Sequence, residues 1–448
     1  MTATRFADDR RQFVHIAMGA AAALLRVLSP WEAAALASFA VLFNLYALPR
    51  IAPSLFRADE GIRRRLSGIV FYPLSVLLLI VLFPARPDIV AGAWGILAAG
   101  DGLATLVGRR FPGVKIPWNR EKSVAGTAAL MVGGGAAGAF LCWWCRPPVM
   151  PPPYVWFSVG APLVAAVAAA LVETIPIRLD DNLSVPFTAA AVLWGSSLVS
   201  NDLAAAAWSA ARSALPLAIA VNAAVALAGY AARTVGISGA VIGAVLGTAI
   251  MVSLGWAGWG LLFATFTAAV IASRAGLRRK MLLGIAEGRG GRRGAANALA
   301  NTGFAAAAAV LSTLTYASGP ARLAFVAALA AGGSDTVASE IGKAWGRRTY
   351  LVGRFARVAP GTSGAVSIEG TAAGLLGAAA LAGLAVLTGI VPASMLLPVV
   401  AGATIGSFAE SALGATLEAP GFVNNDVLNF LNTAIAAAAA LWLAAILS

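Results

Sequence analysis

Apolar stretches close to twenty residues long recur along the whole chain, and the charged residues gather in the gaps between them. The hydrocarbon core of a bilayer requires about 20 consecutive apolar residues of a spanning helix. A helix also satisfies its own backbone hydrogen bonds where no water is present. Composition agrees: 60% of residues are hydrophobic, 11% are charged, and mean hydropathy is +0.83. A soluble protein of 448 residues could not hide that much apolar surface. The expectation is an all-α polytopic membrane protein with roughly fifteen spans, the first near 13–28 and the last near 427–447. Asp8-Asp9-Arg10-Arg11 leads into the first span without a small-residue cleavage site, so that span is expected to be retained.

A net charge of +13 would suit nucleic acid, but its distribution does not. Basic clusters fall in alternate gaps, at Arg50–Arg65, Arg109–Lys122, Arg274–Arg293 and Lys343–Arg357. With the gaps assigned to alternate sides, 27 of the 32 Lys and Arg residues lie on the side of the N-terminus. The positive-inside rule then places the N-terminus in the cytoplasm and the C-terminus outside, in a multi-pass protein of the cell's inner membrane. The basic excess is topological, and no nucleic-acid partner is expected.

One polar constellation occurs twice, about 234 residues apart. The first copy runs Gly100-Asp101-x-x-Ala104-Thr105-x-x-Gly108, Lys122-Ser123-x-x-Gly126-Thr127, Glu173-Thr174 and Asp180-Asp181-Asn182. The second runs Ser334-Asp335-x-x-Ala338-Ser339-x-x-Gly342, Thr362-Ser363-Gly364, Gly370-Thr371, Glu410-Ser411 and Asn424-Asn425-Asp426. Pairing the Asp101 span with the Asp335 span predicts two seven-helix repeats. Seven is odd, so one linker helix between the repeats would keep them parallel, with both polar sets on the cytoplasmic side. The corresponding boundaries are 1–202, 203–235 and 236–448.

Other features have plainer readings. Gly239, Gly243 and Gly247, like Gly133-Gly134-Gly135 and Gly138, have the spacing of helix packing. Cys142 and Cys145 lack the partner ligands of a metal site. Pro147-Pro148 and Pro151-Pro152-Pro153 suit a stiff external loop. The loop from Arg274 to Arg293 suits anionic headgroups. There is no G-x-x-x-x-G-K-[ST] loop. A single histidine, His15, excludes His-rich metal sites and a pair of His-based triads.

Costly polar groups repeated in apolar surroundings suggest sites. Asp and Glu supply hard oxygen ligands for Mg²⁺, and Lys122 offers a point charge for phosphate. Helices opening near Ser123 and Ser363 could cradle anionic oxygens. Phosphoryl transfer, which depends on positioning and charge neutralisation, suits this inventory.

These residues carry two resemblances. Spans one to seven resemble the dolichol kinase and phytol kinase family, related to CTP-dependent phosphatidate cytidylyltransferases. The matching residues are Arg11-x-x-x-His15, Gly100-Asp101 through Gly108-Arg109-Arg110-Phe111, Lys122-Ser123-x-x-Gly126-Thr127, and Glu173 followed by Asp180 to Pro186. Ala125 departs from the Glu usual there. From about 236 the chain resembles the phytyl-phosphate kinase family, through Asn297, Asn301, Asp335-Thr336-x-x-Ser339-Glu340-x-Gly342, Pro360 to Gly364, Gly370-Thr371, Glu410-Ser411 and Asn424-Asn425-Asp426.

The resemblance implies a fusion of two consecutive kinases, converting an isoprenoid alcohol (phytol, geranylgeraniol or farnesol) to its monophosphate and then its diphosphate. The implied donor is CTP, or UTP or ATP, with Mg²⁺. Implied catalytic residues are Asp101, Lys122, Glu173 and Asp181 in the first half, and Asp335, Glu340, Glu410 and Asp426 in the second. The metal would fall to Asp101, Asp181, Asp335, Glu410 and Asp426. Nucleotide contacts would come from Gly100, Gly108, Arg109, Ser123, Gly126, Thr127 and Asn182, and from Lys343, Arg357, Gly361, Thr362, Ser363 and Asn425. Two alternatives stay open: cytidylyl transfer to a lipid phosphate, and transport of isoprenoid phosphates.

Overall fold

The computed structural model describes residues 12–51, 68–111, 113–148, 155–176, 179–285, 292–353, 356–418 and 422–447. Arg11, Pro151–Pro153 and part of the basic loop before Arg293 lie outside the described residues. About 82% of the described residues are helical, and the chain divides into two compact units, Met1–Ser197 and Leu198–Ser448.

Among the described residues, ten helices are long and apolar enough to cross a membrane. Fifteen spans were expected from hydropathy. Gln12–Arg26 and Gly68–Leu82 are apolar but shorter, while Asp181–Leu198 and Ser318–Trp345 are helical with polar ends. The single helix Ile237–Arg274 covers two of the expected spans. Straight, its 38 residues would reach about 57 Å, nearly twice a hydrocarbon core of roughly 30 Å. It bends at Gly255, which adopts φ 62° and ψ −155°. Arg274 then donates from Nη2 to the Ala232 carbonyl at 3.3 Å, so the second half runs back beside the first.

In the first unit the helix Pro87–Arg110 lies at the centre, with Ile89, Ala91, Ala93, Ile96 and Leu97 fully buried. Its partner is Val124–Trp144, and small residues let the two backbones approach. A Cβ on Gly95 would fall 3.0 Å from the Ala137 carbonyl oxygen, and one on Gly138 would fall 3.2 Å from that of Gly92. Both helices carry a π-helical turn, Ile96–Asp101 and Leu130–Gly134. Such wide turns concentrate at functional sites. Cys142 and Cys145 are free thiols, both buried.

The second unit surrounds Ser318–Trp345, whose stretch from Phe325 to Ala331 is fully buried. A helix apolar on every side belongs at such a centre. Ala295–Leu314, Ile368–Leu387, Leu396–Leu413 and Asn425–Leu447 pack around it. The helix Asn201–Ala231, expected as the linker helix between the repeats, packs along Ile237–Arg274 in this unit. There Trp259 donates to the Asn222 side-chain oxygen at 3.0 Å.

Among the described residues, five short strands stand at the helix ends. β1 (Lys115–Ile116) and β2 (Asn119–Ser123) form an antiparallel hairpin leading into Val124–Trp144. β3 (Thr349–Leu351), β4 (Arg357–Val358) and β5 (Ala365–Ser367) form an antiparallel sheet in the order β4-β3-β5, leading into Ile368–Leu387. In each unit the sheet brings a serine to the N-cap of the next helix.

Candidate functional site

The cap geometry is the same in both units. Ser123 accepts from the Gly126 N–H at 3.1 Å, and Ser367 accepts from the Gly370 N–H at 3.1 Å. A Cβ on Gly126 would fall 2.8 Å from the Ala104 carbonyl oxygen and 3.4 Å from the Gly108 Cα. A Cβ on Gly370 would fall 2.6 Å from the Ala338 carbonyl oxygen and 3.2 Å from the Gly342 Cα. The Asp-x-x-Ala-x-x-x-Gly helix thus meets a serine-capped helix start in each unit. This corrects one expectation: the second helix opens at Ser367, not near Ser363. The register Ser-x-x-Gly-Thr, shared by 123–127 and 367–371, was the signal for it.

In the first unit four segments converge. Lys122, at the end of β2, donates to Glu173 Oε1 at 2.5 Å and to Asp181 Oδ2 at 2.8 Å. Asp101 completes the group, and carboxylate oxygens of Asp101, Glu173 and Asp181 lie within 4.8 Å of one another. Burial alone would disfavour the Lys122 ammonium, but the Asp181 and Glu173 carboxylates more than offset it and hold its pKa above the ordinary value. His15, missed as a site residue, lies 3.4 Å from Asp101 Oδ2 and stands edge-on to Tyr72. Trp118 in the hairpin donates to Thr174 Oγ1 at 3.1 Å and ties the hairpin to the end of the Glu173 helix. Asn182 donates to Asp180 Oδ1 at 2.8 Å, and its own side-chain oxygen is buried without a partner. Gly100 is buried, Thr127 donates to the Ser123 carbonyl at 3.1 Å, and Arg109 is exposed at the helix end. Three carboxylates around one lysine leave net negative charge, and all three are hard oxygen donors, so the set can hold a divalent cation.

In the second unit a cavity of about 330 Å³ gathers most of the predicted residues. Asp335, Lys343, Gly361, Thr362, Ser363, Glu410 and Asn425 line it. Ser407, missed in the sequence, donates to Asp335 Oδ1 at 2.9 Å. Gly364, at φ 74°, packs its Cα against Ser411 and Ala415, where any side chain would clash, and this brings Thr362 and Ser363 to the cavity wall. Ser363 donates to Glu418. Glu410 is buried beside Asp335 and the fully buried Asn432 of the next helix, and neither its Oε2 nor the Asn432 amide reaches a partner with good hydrogen-bond geometry. Such unsatisfied buried groups need a reason.

Three predicted residues sit elsewhere. Glu340 does not line the cavity; it is buried between two lysines, accepting from Lys280 and, at 2.8 Å, from Lys343. Arg357 is exposed on β4. Asp426 lies outside the cavity lining. Among the described residues, only the Asp101 group brings three carboxylates together, so Asp335, Glu410 and Asp426 do not form a matching cluster. The position of Lys122 is taken by Val366 in the second unit, and that of Ala125 by Glu369.

Residues 220–437 match the family described as Integral membrane protein DUF92. An uncharacterized membrane protein of Synechocystis is 37% identical over 204 residues, covering 44% of this chain and 78% of that protein. Protein VTE6, chloroplastic, of Arabidopsis thaliana is 36% identical over 44% of this chain and 62% of its own length. A Glycine max protein named "Probable phytol kinase 3, chloroplastic" is 31% identical over 42% of this chain and 62% of its own. The chain therefore spans less than two thirds of these last two relatives. No solved structure matches it significantly. On these grounds the chain belongs to the DUF92 family of integral membrane proteins.

Proposed function

We propose that the protein is a membrane phosphotransferase acting on isoprenoid substrates in two steps. The first unit phosphorylates an isoprenoid alcohol and the second phosphorylates the resulting monophosphate, with CTP or a related nucleotide as donor. The observation that carries this reading is the duplicated junction of an Asp helix with a serine-capped helix start, each beside buried acidic groups. Relatives whose names include phytol kinase supply the substrate class. The chain is a fusion of two seven-span repeats, fifteen spans with the helix Asn201–Ala231 ahead of the second set, and its active sites are cytoplasmic.

Chemically, the chain's residues bind and orient. The N–H groups opening the helix after Ser123 favour anionic oxygens. Lys122, held by Glu173, carries a positive charge at the same point, and Glu173 would orient the substrate hydroxyl. In the second unit Lys343, Thr362 and Ser363 face the cavity as phosphate partners, opposite Asp335 and Glu410. The hard donor set of Asp101, Glu173 and Asp181 fits Mg²⁺. When bound, that ion would neutralise phosphate charge as transfer proceeds.

The test is purified protein with Mg²⁺, phytol, geranylgeraniol or farnesol, and CTP labelled in turn at the α and γ positions. Label from the γ position in the lipid is the expected result. Label from the α position means cytidylyl transfer, and no label in the lipid removes the enzyme reading in favour of transport.

A further inference from the structure

The polar cavity of the second unit has an apolar neighbour. A partly open space of about 140 Å³ lies between Asn201–Ala231, the two halves of Ile237–Arg274, Ala295–Leu314 and Gly332-Gly333 of Ser318–Trp345. Val225, Leu246, Trp259, Leu262, Phe263 and Phe266 supply its apolar wall. Trp259 and Phe263 stack there, with ring centroids 5.3 Å apart. Arg293 and Asn297 line both this space and the polar cavity, so the two meet at those residues. The backbone of Arg293 is fixed at the junction: its N–H donates to the Thr234 carbonyl at 3.1 Å, and its carbonyl accepts from the Gly236 N–H at 3.0 Å.

The glycine row of the facing helix explains how the space arises. Gly239 is pressed against the Arg293 carbonyl and Gly247 against the Asn222 side chain, as helix packing requires. Gly243, midway between them, would meet nothing within 4 Å if it carried a Cβ. It opens into the apolar space instead.

We propose that this space holds the isoprene unit nearest the phosphate of the lipid substrate, with Arg293 and Asn297 at the boundary between chain and phosphate. The proposal rests on the phosphotransferase reading for its substrate class. At roughly 30 Å³ for a water-sized group, 140 Å³ admits about five carbon atoms, one isoprene unit. The rest of the chain continues toward lipid. Trp259, Phe263 and Phe266 then select for a branched apolar chain, and Gly243 is the residue that leaves room for it.

A leucine at 243 adds four carbons, roughly 120 Å³ on the same scale, and nearly fills the space. In the full-length protein, Gly243→Leu is expected to raise KM for a prenyl monophosphate by at least tenfold, with KM for the nucleotide unchanged. Gly243→Ala gives a smaller rise and serves if the leucine variant does not fold. Independently of turnover, a prenyl monophosphate carrying a diazirine on the unit nearest the phosphate should label residues that line the space, within 222–229, 239–269 or 297–302, on illumination. Labelling confined to residues outside these segments, or a folded Gly243→Leu protein with wild-type KM, overturns the assignment even if the wild type is a kinase. Labelling within them with no phosphate transfer by the wild type sustains the chain site and sinks the phosphotransferase reading.

Discussion

Removing the Lys280 ammonium should destabilise the second unit more than any other single charge deletion there. Lys280 lies on the short helix Leu277–Leu282 and is 1% exposed; its partner Glu340 is 2% exposed. The ammonium donates to Glu340, to the Ser273 carbonyl at 2.7 Å and to the Ala272 carbonyl at 3.4 Å. Lys280→Met keeps the apolar stem but takes one of its two donors from the buried Glu340 carboxylate and the ammonium from the Ala272 and Ser273 carbonyls. Breaking a buried pair from one side costs about 3–5 kcal/mol. Lys343 still reaches Glu340 at 2.8 Å and is a quarter exposed, so the lower end, about 3 kcal/mol, is expected. A double-mutant cycle isolates the pair: Lys280→Met with Glu340→Gln should recover most of the loss, because no uncompensated charge remains. Thermal unfolding in detergent, followed by size exclusion, reads both. A Lys280→Met protein as stable as wild type, or a double variant no better than the single, would refute the assignment of Glu340 as a buried structural anion.

The remaining predictions concern the site and its orientation. Gly126→Ala and Gly370→Ala each force a Cβ against a carbonyl, at 2.8 and 2.6 Å, and should cost about 1–3 kcal/mol while impairing only their own unit's reaction; equal loss of both reactions from either variant would contradict the duplicated junction. In a protein lacking its two native cysteines, a cysteine at position 285 should resist an impermeant thiol reagent in sealed cells and react after permeabilisation; labelling from outside would invert the topology. Activity should vanish in excess chelator and return with Mg²⁺ or Mn²⁺, and full turnover without metal would remove the Asp101 group from its assigned role.

Much of this was legible because lipid imposes a simple rule on sequence. Apolar length located nearly every helix, and a charged set too costly to leave unpaired in apolar surroundings pointed to Asp101, Lys122, Glu173 and Asp181, which four segments bring together. What escaped depended on pairing across distance. Lys280 reads as one more basic residue of a headgroup loop, and nothing local says that it is buried against Glu340, sixty positions on. Thr362-Ser363 drew the helix start because two hydroxyls beside glycines look like a cap; the sheet carries the chain on to Ser367 before the helix opens. Gly243 shares its spacing with Gly239 and Gly247, and only the packed helices show that one of the three faces open space.

The central claim, two sites each serving its own step, is tested most directly by separating products from Asp101→Asn and Asp335→Asn proteins. Each Asp belongs to its own unit and its own acidic surroundings. Loss of one carboxylate should cost several kcal/mol of transition-state stabilisation at that site alone. Asp101→Asn is expected to stop phosphorylation of the free alcohol while added prenyl monophosphate is still converted to diphosphate. Asp335→Asn is expected to do the reverse, with monophosphate accumulating. Two folded variants that each lose both steps would contradict the account and leave a single composite site.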